Sequence, residues 1–265
     1  MVLGLAYDGA GFHGFAAQPG QRTVAGLLVG AFFQLGAGEV SVTCAGRTDA
    51  GVHALAQVVH VDVPSSVVDR RRRGATHGDE LPWLAKALSG LCGPEIAIWR
   101  AAVAPEGFDA RRSAIARRYR YELATGDRVD PVCRLASWHV DRPLDIALLR
   151  LAADPLVGEH DFSAFCRRPP GHPVGPITRV VHDARWEVTG PAGLRFEIEA
   201  GSFCHQMVRS VVGALVAVGE GRLHPSDIAA LLRRASREGA PTLSPPHGLY
   251  LAAVRYPDAL GGWWS

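Results

Sequence analysis

Two rhythms of apolar and polar positions divide this 265-residue chain. Short apolar or alternating runs predict strands at VLGLAY, VSVTCA, ALAQVVHVDV, EIAIWRAAV, RRYRYELA, VVHDARWEV, LRFEIEAG and LYLAAVRY. Between them the spacing changes to about 3.6 residues. This predicts helices in TVAGLLVGAFFQLG, LPWLAKALSGL, DIALLRLAADPLVG, HQMVRSVVGALVAVGEG and SDIAALLRRASREG. Thr23 is placed to cap the first helix, and Pro82 is tolerated in the first turn of the second. TGPAG joins two strands as a hairpin, residues 64–79 read as a polar loop, and CRRPPGHPVGP reads as a rigid proline-rich loop. The elements fall into two broadly similar strand–helix halves, residues 1–107 and 108–265, with the change near Phe108 to Arg112. Their sequences are too different for periodicity to make them a repeat.

Composition narrows the class. A hydrophobic fraction of 48% with 20% charged residues is that of a globular chain able to bury a core. A net charge of +2 is too small to argue for nucleic acid, but the charge is clustered. Arg70 to Arg73 form one run, and Arg111, Arg112, Arg117, Arg118 and Arg120 form a second; Arg111, Arg112, Arg117, Arg118 and the first run are candidates for phosphate contacts. A solvated charge run is the competing reading of the first. The five cysteines are odd in number and lack a CxxC pair, which predicts reduced thiols, with neither a zinc knuckle nor a disulfide framework. No signal peptide or membrane-spanning run is visible, so the expectation is a soluble, cytoplasmic protein.

Several chemistries fail on their own requirements. Gly9, Gly11 and Gly14 in DGAGFHG match the glycine pattern of dinucleotide-binding turns, but that motif needs a helix to begin there. Pro19 and Gly20 prevent one, so a nicotinamide oxidoreductase is disfavoured. There is no G-x-S-x-G for a serine hydrolase, and the eleven histidines include no H-E-x-x-H. No metal site and no cofactor are expected. What remains is GRTDAGVHA, between two predicted strands. It puts one carboxylate, Asp49, in a glycine-flanked turn, where an Asp can equally serve to cap the backbone.

GRTDAGVHA stands in order with YDG, FDARRSAIARRYRY, HDFSAFC, FCHQMVRSVVG and HGLYLAAVRY, and together they resemble the tRNA pseudouridine synthase A (TruA) family across nearly the whole chain. The resemblance implies an α+β pseudouridine synthase fold, a curved mixed and mostly antiparallel sheet flanked by helices. It also implies a homodimeric, cofactor-independent isomerase acting on uridine in the anticodon arm of tRNA. Asp49 matches the catalytic carboxylate, Tyr119 the active-site tyrosine against the target base, and Arg209 the basic partner of the carboxylate. Helical spacing would put Arg209 one turn after His205. Tyr121 shares a strand face with Tyr119, so it is either a second site tyrosine or core. Arg47 and Thr48 either shape the loop or touch the substrate, and Arg111 is a candidate phosphate contact. The family's W-Q-R-Q is FAAQ here, and its L-N-x-x-L-P is LSGLCGPE. These departures leave open a divergent paralogue acting on another RNA or a nucleotide, or a noncatalytic RNA-binding module.

Overall fold

The computed structural model describes residues 1–69, 76–128, 130–168, 171, 175–236, 242–260 and 263–264. The Arg70 to Arg73 run lies outside the described residues. In chain order the elements are β1 (Val2–Tyr7), α1 (Val24–Gln34), β2 (Val42–Cys44), β3 (His53–Val61), α2 (Ser65–Val68), α3 (Pro82–Cys92), β4 (Ile96–Ala102) and β5 (Ala116–Thr125). They continue with β6 (Trp138–Val140), α4 (Ile146–Ala153), β7 (Gly158–Asp161), β8 (Thr178–Gly190), β9 (Gly193–Ala200), α5 (Met207–Gly219), α6 (Pro225–Arg234), β10 (Leu249–Arg255) and β11 (Trp263–Trp264). This is the expected α+β fold. Two compact units divide it: Met1–Arg117 with Leu251–Ser265, and Arg118–Tyr250. The chain passes from one to the other inside β5 and returns inside β10.

In the first unit β1 lies antiparallel to both β3 and β4, so Leu3 faces Val59 on one side and Ala101 on the other. Central β3 is apolar on both faces, with Ala56, Val58, Val59 and Val61 all fully buried. Helix α3 packs on β4 and α1 packs on α3. The buried seam of α1 and α3 is Leu28, Phe32, Leu84 and Leu88, each worth about 1.5–3 kcal/mol of transfer free energy. Thr23 caps α1 as expected, its Oγ1 accepting from the Gly26 N–H at 3.2 Å. Residues 8–23 contain no helix, so the glycines after β1 do not open a dinucleotide turn.

In the second unit the strand order is β5-β9-β8-β7, and β6 runs parallel to β5. Helix α5 is buried nearly all round, because α4 and α6 pack beside it. Strand β7, sequence GEHD, is missing from the apolar pattern because three of its four residues are polar. The helix expected from residue 205 starts later. Gln206 adopts a left-handed backbone (φ 64°), and α5 begins at Met207, so His205 lies outside the helix that carries Arg209. Likewise α6 stops at Arg234, where Ala235 turns left-handed at φ 51°. No helix among the described residues is long and apolar enough to cross a membrane.

Candidate active site

Asp49 sits in the loop between β2 and β3, and the first unit grips that loop from several sides. Below it, Gln57 on β3 brackets Gly46: its Nε2 donates to the Gly46 carbonyl at 2.7 Å, and its Oε1 accepts the Gly46 N–H at 3.4 Å. Thr48 is buried and shares a hydrogen bond of 2.7 Å with the Tyr7 hydroxyl at the end of β1. The Val52 N–H donates to the Asp49 carbonyl at 3.1 Å, closing the turn. Asp49 itself is half-buried, while Arg47 beside it is exposed.

The N-terminal glycines now have a physical reason. The Phe15 N–H donates to Thr48 O at 3.1 Å, and the Gly51 N–H to Phe12 O at 3.2 Å. Residues 9–15 therefore lie flat against the Asp49 loop. A Cβ on Gly9 would meet the Val52 carbonyl oxygen at 2.0 Å. One on Gly14, whose φ is +91°, would meet the Thr48 oxygen at 2.9 Å. The spacing that resembles a phosphate cradle is backbone clearance for the carboxylate loop.

Near the loop's stem lie Arg47, Arg111 and the buried thiol of Cys44. Burial pushes that thiol up to about 11, and the charges of Arg47 and Arg111 pull it back in part. Arg111 and Arg112 are exposed on a turn whose backbone is tightly fixed. Both N–H groups donate to Asp109 Oδ1 at 2.8 Å, which holds the Asp109 carboxyl below its usual range. The Ala110 N–H donates to His60 Nδ1 at 2.9 Å, and the Ala110 carbonyl accepts from the Tyr256 hydroxyl at 2.7 Å.

Arg117 and Arg118 depart from the phosphate-contact reading. Arg117 is buried, with its guanidinium on main-chain carbonyls of Ala45, Arg111 and Ala114. Arg118 forms a two-pronged ion pair with Glu199 at 2.8 and 3.1 Å. The alternation of β5 shows why: Arg117, Tyr119, Tyr121 and Leu123 all point to its buried face.

Tyr119 and Arg209 belong to the second unit. Tyr119 is buried, and the Phe203 ring meets it edge-on at 4.9 Å between centroids. Tyr121 is core: its hydroxyl donates to Pro245 O at 2.7 Å, and burial pushes the phenol far above its usual range. Arg209 is half-buried on α5, and its Nε donates to the Ser244 carbonyl at 2.8 Å. The structure thus places Arg47, Asp49 and Arg111 in the first unit, and Tyr119 and Arg209 in the second.

Cys166 and Cys204 correct the expectation of five reduced thiols. They form a disulfide in the second unit, with Cα atoms 5.7 Å apart. The Arg167 N–H donates to His205 O at 3.0 Å beside it, which aligns the two segments. A separation of 38 residues and an odd cysteine count concealed the pair. Cys44, Cys92 and Cys133 are free. Among the described residues no cluster of three or more His, Cys, Asp or Glu side chains could hold a metal ion.

Known proteins share this pattern. A family profile described as tRNA pseudouridine synthase matches residues 152–257. A tRNA pseudouridine synthase A of Frankia casuarinae is 45% identical over 96% of this chain and 88% of its own length. Proteins of the same name from Streptomyces griseus and Bacillus velezensis are 43% and 37% identical. The first covers 97% of this chain and 88% of its own length, the second 95% and 97%.

Proposed function

The chain belongs to the tRNA pseudouridine synthase A family, and from that premise we propose that it isomerises uridine to pseudouridine in the anticodon stem-loop of tRNA through the carboxylate of Asp49. The reaction breaks the N1–C1′ bond, turns the base, and forms a C5–C1′ bond. The C5 proton leaves and N1 gains one, so the atoms balance without a redox or phosphate cofactor. A carboxylate at C1′ is what the chain must supply, either as the nucleophile or as a base.

The observation that carries this reading is the grip on Asp49. Tyr7, Gln57, Phe12 and Phe15 fix a short loop whose flanking glycines allow a close approach to a sugar. A uridine in a stem must leave its stack to be reached, at a cost of a few kcal/mol. Phosphate contacts from Arg111 and Arg112, and contact between the base and Tyr119, offset that cost. Arg209 takes the part that the family resemblance gives it, the basic partner of the carboxylate. The enzyme acts as a homodimer in the cytoplasm.

The test is release of tritium from C5-labelled uridine in prefolded tRNA, in the presence of EDTA, with the modified positions mapped afterwards. Stoichiometric release confined to the anticodon arm is expected. Release only from other RNAs or from free nucleotides would replace this substrate by another, and no release under any condition would leave a binding module.

A further inference from the structure

Arg117 is the one buried arginine of the FDARRSAIARRYRY segment, with 7% of its surface exposed, and the proposed chemistry has not used it. Each of its three nitrogens donates to main chain. Nε and one terminal nitrogen donate to the Ala45 carbonyl at 3.1 and 2.9 Å. That same terminal nitrogen donates to the Arg111 carbonyl at 2.5 Å, and the other to the Ala114 carbonyl at 2.9 Å.

These carbonyls come from two places. Ala45 is the last residue before the Gly46–Asp49 loop, while Arg111 and Ala114 belong to the turn that presents Arg111 and Arg112. Each place has anchors of its own: Gln57 and Tyr7 for the loop, His60 and Tyr256 for the turn. Arg117 spans the two. Only a planar fork with five donors can reach carbonyls on both sides at once, and a lysine ammonium offers one nitrogen. A buried charge is costly, so a residue needed only to fill this space would serve better as an apolar one.

We propose that Arg117 is a positioning residue for pseudouridine formation. It ties the stem of the Asp49 loop to the arginine turn, so that RNA phosphates engaged by Arg111 and Arg112 set the sugar at a fixed distance from the carboxylate. This rests on the function proposed above.

The experiment is Arg117→Lys, which retains the charge and most of the stem. The expected result is a single-turnover rate at saturating tRNA lower by about ten-fold or more, because a displacement near 1 Å can cost this much. The tRNA Kd should change by less than about five-fold, so the loss appears in kcat rather than KM. A near wild-type rate overturns the proposal. So does a rate loss that disappears on cooling below the variant's melting transition, as that is a structural defect only. Should the variant fail to fold, amide hydrogen exchange of the wild-type protein decides. Amides of residues 46–49 and 111–114 are expected to exchange as one unit, and rates differing by more than about ten-fold overturn the link. Asp49→Asn, measured in parallel, separates the two readings. If it is inactive while Arg117→Lys is not, only the positioning role fails. If it is active, the Asp49 chemistry fails first.

Discussion

Asp49→Asn retains the size of the side chain and an oxygen able to accept hydrogen bonds, but removes the charge. We expect a folded protein that binds tRNA within a few-fold of wild type and releases tritium from C5 only at background. Near wild-type release would reduce Asp49 to a turn residue. Gly14→Ala is a different kind of change, since its Cβ would press on the Thr48 oxygen at a φ that side chains resist. A melting temperature lower by several degrees is expected, from a cost of about 1–3 kcal/mol. The rate should fall as well, because the clash is against the loop carrying Asp49. Unchanged melting would mean that residues 9–15 yield freely. At this scale the sequence singled out Asp49 by a specific motif, and was silent about what the glycines avoid, which lies on another segment. Arg117 could have been read correctly. Period-two geometry already put it on the same face as Tyr119 and Tyr121, but the density of arginines around it suggested solvent.

Among the elements, the turn from Asp109 to Ser113 carries the clearest expectations. Arg111 and Arg112 are exposed on a backbone fixed by other residues, so removing their side chains should leave the turn in place. For the Arg111→Ala, Arg112→Ala double variant we expect weaker tRNA binding. The log–log salt slope should be smaller by roughly one for each phosphate that the variant no longer neutralises. Saturating tRNA should restore most of the rate, and an unchanged slope would assign both arginines to structure. Asp109 gives this turn a pH dependence. Its folded pKa is depressed by the Arg112 and Arg111 N–H groups, so the ionised form favours the folded state. That contribution is complete above the unfolded value of about 3.9 and is lost as pH falls through the folded one. The melting gap between wild type and Asp109→Ala should therefore be constant near neutrality and narrow below about pH 4. A gap independent of pH down to acid unfolding would show that the carboxylate is not what holds the turn. Helix and strand positions were largely legible because period and caps agree, as at Thr23. The exceptions were local: the polar β7, the short α2 inside the expected loop 64–79, the three-residue β6, the left-handed Gln206 that delays α5 and the left-handed Ala235 that ends α6.

For the molecule as a whole, the thiol inventory is a direct check. Denatured without reductant, the protein should react with three equivalents of a thiol reagent, for Cys44, Cys92 and Cys133, against five after reduction. Five in both conditions would show that Cys166 and Cys204 are not joined. Neither this pair nor the path of the chain between the units could be read from spacing, because both depend on residues far apart in sequence. That path has a consequence for how the protein is made. The first unit comprises Met1–Arg117 and Leu251–Ser265, so it begins to emerge before the second unit and is completed only after it. The Tyr256 hydroxyl that holds Ala110, and the Arg255 carbonyl that accepts from the Ile115 N–H, arrive only after the whole of the second unit has been made. The second unit, Arg118–Tyr250, is continuous and can fold while the nascent chain is still growing. The half bearing the carboxylate must wait, and a message truncated within the second unit would yield a chain whose arginine turn lacked its Tyr256 anchor.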